Sequence, residues 1–145
     1  MTIIAIDPGI DKCGLILVDL HKNLVIDGRV VSKSSVLELI HLWKRSYLVT
    51  KIFIGNGTSS AYWESLIRKL GDIEIIDEKG STLLARKRYW ELWPPSFWMK
   101  LLIPEGLLVP PVSLDAVAAL VFLEKYLNKK IKWYGPVNFK TWPLQ

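Results

Sequence analysis

Thr2-Ile3-Ile4-Ala5-Ile6-Asp7-Pro8-Gly9 is the stretch on which the reading of the fold turns. Ile3 to Ile6 are apolar at successive positions rather than alternating. That is the pattern of a strand covered on both faces. Asp7-Pro8-Gly9 supplies turn chemistry that ends the strand. Outward from it, Gly14 to Leu20 reads as a second strand and Asn23 to Val31 as a third. The short connections between the three predict an antiparallel meander.

Beyond residue 31 the hydrophobic period changes. Ser35 and Glu38 match a capping box, and Val36, Leu39, Ile40, Trp43 and Tyr47 follow at helical spacing. Lys51 to Ile54 reads as a fourth strand, ended by Gly55-Asn56-Gly57. A second helix carries Trp63, Leu66, Ile67 and Leu70, and Ile73 to Ile76 forms a fifth strand. Ser81 or Thr82 is placed to cap a third helix running to about Leu92, where Trp93-Pro94-Pro95 stops it. Ser113 is placed to cap a last helix to about Leu127. Strand–helix–strand crossovers imply parallel neighbours. The expectation is an α/β protein with a mixed five-stranded sheet and helices on both faces, the layout of the ribonuclease H-like fold.

The chain has 145 residues, half of them apolar, and is read as one domain over 1–145. Its formal net charge of +5 favours a polyanionic partner such as nucleic acid. Cys13 is the single cysteine, which excludes an intramolecular disulfide and fits a reducing cytoplasm. His21 and His41 have no partner at zinc-ligand spacing. The first residues lack a signal-peptide pattern, and no apolar run is long enough to cross a bilayer. The expectation is a cytoplasmic protein with no membrane partner.

Three acids stand where an apolar segment ends or begins. They are Asp7 after the first strand, Glu78 after the fifth, and Asp115 in Ser113-Leu114-Asp115-Ala116-Val117-Ala118-Ala119. A carboxylate at the edge of an apolar core is costly unless something pairs with it. Hard oxygen donors of this kind suit Mg2+ or Mn2+. Two such ions, about 4 Å apart, can clamp the attacking and leaving oxygens of an in-line phosphodiester displacement. Asp77 competes with Glu78 for the middle position, because side-chain direction alternates along a strand.

These segments resemble the RuvC and YqgF (RuvX) group. Asp7-Pro8-Gly9-Ile10-Asp11-Lys12-Cys13-Gly14 is similar to its first motif. Asp77-Glu78-Lys79-Gly80-Ser81-Thr82 resembles its second acidic motif, and Ser113 to Ala119 its last. Gly55-Asn56-Gly57-Thr58-Ser59-Ser60 is similar to a segment of the YqgF-like domain of the Tex transcription accessory protein. The resemblance covers residues 1 to about 127 in order. It implies a ribonuclease H-like fold and Mg2+- or Mn2+-dependent cleavage of precursor ribosomal RNA or of branched DNA such as Holliday junctions. Asp7, Glu78 and Asp115 would be the metal ligands and catalytic residues. Lys12 stands where the YqgF group generally has an arginine. Val112 stands where RuvC resolvases carry a further acid.

Gly55-Asn56-Gly57-Thr58 could bring backbone N–H groups to a phosphate at the next helix start. Lys79, Arg86, Lys87 and Arg88 place positive charge near Glu78, suited to gripping backbone rather than bases. Trp90, Trp93, Phe97 and Trp98 either stack on unpaired bases or pack into the core. The basic, aromatic tail from Lys129 to Trp142 either extends the binding surface or wraps the fold. Junction cleavage would suit a homodimer, with the tryptophan-rich segment as a candidate interface. The alternative is a nucleic-acid-binding module without catalysis, of the Tex type. A third reading, a sugar-kinase or actin-like ATPase, needs two such domains where this length supplies one.

Overall fold

A computed structural model describes residues 1–57 and 59–134. Thr58 and Trp142, named above, lie outside the described residues. Five strands are present: β1 (Thr2–Asp7), β2 (Lys12–Asp19), β3 (Leu24–Ser32), β4 (Val49–Gly55) and β5 (Ile73–Ile76). The helices are α1 (Val36–Ser46), α2 (Ser60–Ile67), α3 (Ser81–Leu92), α4 (Phe97–Leu102) and α5 (Asp115–Leu127).

The strands form one sheet in the order β3-β2-β1-β4-β5. β1 pairs antiparallel with β2, and β2 with β3. β1 pairs parallel with β4, and β4 with β5. This mixed order, with helices on both faces, is the ribonuclease H-like arrangement. β1 is central, and its side chains divide by parity between two cores. Ile4 and Ile6 join α1 and α2 through Val36, Leu39, Ile40, Trp43, Trp63 and Ile67. Ile3 and Ala5 join α3 and α5 through Ala85, Tyr89 and the apolar face of Ala116 to Leu123. Burial on both faces is the physical reason that β1 shows no alternation. The parallel arrangement of β1, β4 and β5 brings the ends at Asp7, Gly55 and Ile76 to one edge of the sheet, where ligand sites of open α/β sheets form.

Three expected caps are absent. Lys33–Ser35 forms a 3-10 turn, and the Ser35 side chain makes no cap bond; its hydroxyl pairs with that of Ser32 at 3.1 Å. Neither Ser81 nor Thr82 caps α3. Gly80 holds the cap position with φ +80°, a left-handed turn that glycine adopts without steric cost, and Ser81 is already helical. Leu114, not Ser113, precedes α5, and the Ser113 hydroxyl is turned to Asp115.

The helix α4 in the Trp/Pro-rich stretch was not expected. Ser96 caps it, its Oγ accepting from Met99 N at 3.3 Å. Trp93 is drawn into aromatic contacts with Tyr89 and Trp133, whereas Phe97 and Trp98 stay about 70% exposed. Past α5 the chain returns along β3, where Val25 N donates to Lys132 O (2.8 Å) and Trp133 lies where a β-carbon on Gly28 would fall. As far as Trp133, then, the tail wraps the fold.

Candidate metal centre

Asp7 closes β1 and pairs in register with Gly14 on β2. Gly14 faces the first turn of α5 so closely that a β-carbon there would sit 2.1 Å from the Asp115 carbonyl carbon. A side chain at position 14 is therefore excluded, and its absence lets Asp115 approach Asp7. From the other side of β1, β5 delivers Glu78. Side-chain alternation after Ile76 turns Asp77 outward, 58% exposed and 3.7 Å from Lys125 Nζ, and turns Glu78 inward. The Asp77 carboxylate also accepts from Lys79 N (3.0 Å), and that bond, with the Lys125 charge, holds its pKa below the ordinary range.

The Glu78 side chain crosses the end of β4 through space left by two glycines. A β-carbon on Gly55 would lie 2.1 Å from Glu78 Oε2, and one on Gly57 would lie 2.1 Å from Oε1. Asn56 braces the same loop, its Oδ1 accepting from Glu78 N (3.2 Å) and its N–H donating to Ile76 O (3.0 Å). The Gly55-Asn56-Gly57 turn thus holds an acid. The space beside its two glycines, where side chains would lie, is taken by the Glu78 carboxylate.

The acids repel each other. Burial, then the charges of Glu78 and Asp115, pushes the Asp7 pKa from 3.8 up to about 8. Burial also raises Glu78. Asp7 and Glu78 are close enough to share a proton, with Asp7 as donor. With both ionised, the buried Glu78 Oε2 has no hydrogen-bond partner. Asp115 is differently placed: its Oδ2 accepts from Ser113 Oγ (2.5 Å) and lies 3.5 Å from Lys12 Nζ, which itself donates to Ser113 Oγ (2.9 Å). Among the described residues, no three acid, histidine or cysteine side chains are gathered tightly enough, as they stand, to hold one ion. The donor set nevertheless fits a hard divalent cation. It is all oxygen, it includes an orphaned buried carboxylate oxygen, and its negative charge is relieved at Asp7 only by a proton.

The basic residues divide. Lys79 and Lys87 are exposed. Arg86 is used structurally, donating to Leu108 O (2.9 Å) and Gly106 O (3.1 Å), and so pins the loop after α4. Arg88 is not a backbone-gripping residue. It is 11% exposed, it forks onto Glu124 at 2.7 and 3.0 Å, and it donates to Ile131 O. Glu124 is a further buried acid. It is an acid on an apolar helix, the same signal that marked Asp115, but it is compensated by Arg88 and by Ile131 N (2.7 Å). Gly14 was visible only as part of a motif, since a glycine in a strand does not reveal what approaches it.

No protein-family model and no curated protein sequence matches the chain. Among solved structures it is similar to T. thermophilus RuvC in complex with Holliday junction substrate, at 16% identity and a TM-score of 0.45, over 90% of this chain and 99% of that one. Among the described residues no helix is long and apolar enough to cross a membrane.

Proposed function

We propose that this protein is a metal-dependent endonuclease, holding Mg2+ or Mn2+, as one or two ions, between Asp7, Glu78 and Asp115. The observation that carries the proposal is the gathering of Asp7, Glu78 and Asp115 at one end of the sheet, where Gly14, Gly55 and Gly57 leave them room and where burial and the two neighbouring acids push the Asp7 pKa up. Strongly perturbed acids gather at functional sites. When bound, divalent cations activate water and neutralise the charge of an in-line phosphodiester displacement. The chain's own groups do the rest. Asp7, once deprotonated, Glu78, held in line by the glycine window, and Asp115 would be the residues that hold the ion. Lys12 and the exposed Lys79 and Lys87 would meet the phosphodiester backbone.

The substrate class that fits is structured nucleic acid, precursor rRNA or branched DNA such as a Holliday junction. The motifs favour membership of the YqgF group, the length suits a single nuclease domain over 1–145, and the lone cysteine fits a cytoplasmic setting. A homodimer would suit a four-way junction, its two sites facing two strands. Cleavage of structured RNA and of a four-way junction with Mn2+, comparing wild type with Asp7→Asn, tests the proposal. Loss of about 100-fold or more is expected of the variant, and equal cleavage by both would contradict the proposal.

A second reading has its own observation. Lys12 and Ser113 already satisfy Asp115, as they would in a binding module with no metal. Manganese titration separates the two, because a pure binder has no cation site to lose on Asp115→Asn.

A further inference from the structure

The turn that follows Asp7 leads to a second feature, on the side of the acids opposite α3. The buried Trp63 indole donates to Gly9 O (3.4 Å), which ties α2 to this turn. Trp63 meets Tyr62 edge-on, with ring centroids 5.0 Å apart and planes at 80°. Tyr62 is 49% exposed, and Lys33 Nζ lies 4.3 Å from its ring centroid. Lys33 is itself fixed to the turn, its N–H donating to Asp11 O at 2.9 Å. Ile10, at the tip, is 73% exposed. Tyr62 is five residues beyond Gly57, one of the glycines that admit Glu78.

Ile10, Lys12, Lys33 and Tyr62 are therefore gathered on or against the turn that follows Asp7, and Lys12 reaches Asp115 from it. The aromatic is backed by the buried Trp63, and the Lys33 ammonium lies over its ring. A double helix hides the faces of its bases and offers only phosphates and groove edges. An unpaired strand offers a base face and an adjacent phosphate together.

We propose that Tyr62 is a stacking platform for an unpaired base of the strand that enters the acid site, with Lys33 moving from the ring to the neighbouring phosphate. The substrate class is thereby narrowed to nucleic acid with an unpaired nucleotide beside the point of attack. The inference relies on the nuclease reading for what the acids do, but the binding it claims requires no metal.

The test is fluorescence titration, in chelator, of a 2-aminopurine-labelled single-stranded oligonucleotide and of the same sequence in a blunt duplex. Wild type is expected to quench the unpaired probe and to prefer it to the duplex. Tyr62→Phe should retain both properties. Tyr62→Ala should weaken single-strand binding roughly 5- to 150-fold, as for loss of one base stack, at unchanged thermal midpoint. Absence of quenching by wild type, or no preference for the single strand, would overturn the proposal. Quenching without any metal-dependent cleavage leaves the platform standing and removes the nuclease. Cleavage without a Tyr62 effect does the reverse.

Discussion

The Glu78 carboxylate lies in the volume that a Gly55 side chain would occupy, with Oε2 2.1 Å from the position of the missing β-carbon. The acid that follows β5 reaches the end of β1 only because β4, between them, ends in glycine. Gly55→Ala should therefore push Glu78 out of line while leaving the sheet intact, because the displaced atoms are the far end of a flexible side chain. Cation affinity and cleavage are expected to fall about 10- to 100-fold, with a stability change within roughly 1 kcal/mol. Manganese calorimetry and urea unfolding check the two halves.

Asp77 and Glu78 are adjacent in sequence but face opposite ways, Asp77 toward solvent and Lys125, Glu78 toward Asp7. Asp77→Asn should retain cleavage within about 3-fold, since an exposed ion pair contributes little. Glu78→Gln should remove it. Parallel single-turnover assays distinguish them, and equal losses would count against the inward assignment.

The acids impose a pH dependence on the metal-free protein. Asp7 titrates at about 8 when folded against 3.8 as a free carboxyl. Between these values the folded state binds the extra proton, so this contribution to stability is complete below about pH 4 and is lost as pH rises through 8. Asp7→Asn, which needs no proton, should be more stable than wild type at pH 8.5 by on the order of 1–3 kcal/mol after allowance for solvent relaxation. The difference should shrink toward pH 5. Thermal melts in chelator across this range give the answer, and Mn2+ should stabilise wild type at pH 8.5 but not the variant.

Arg88 and Glu124 form a buried pair that also holds Ile131 N. Arg88→Met alone strands a buried carboxylate and should cost about 3–5 kcal/mol. Arg88→Met combined with Glu124→Leu should recover most of that loss. Binding of nucleic acid by the folded single variant should be unchanged, as checked by urea denaturation and by filter binding below the midpoint.

Much of this fold was legible because its signals are local. Unbroken burial of Ile3 to Ile6 marked the central strand, and helical spacing placed α1, α2, α3 and α5 within a few residues of their observed bounds. Caps were less legible. Ser35, Ser81 and Ser113 have the right chemistry, but the hydroxyls of Ser35 and Ser113 bond to neighbouring side chains instead, and a left-handed glycine holds the cap position before Ser81. The acids stood out because each interrupts an apolar pattern. That same signal cannot distinguish Asp115 from Glu124, since what separates them is a partner 36 residues away, Arg88. Nor could the sequence show that Gly55 and Gly57 make room for Glu78, which depends on β4 lying between β1 and β5.

Calorimetric titration of Mn2+ into wild type, Asp7→Asn and Asp77→Asn at pH 8.5 tests the central claim most directly. Saturable binding by wild type and Asp77→Asn, accompanied by proton release from Asp7 and abolished in Asp7→Asn, is the expected result. No saturable binding by wild type, or binding of equal strength by all three, would contradict a cation site built on these acids.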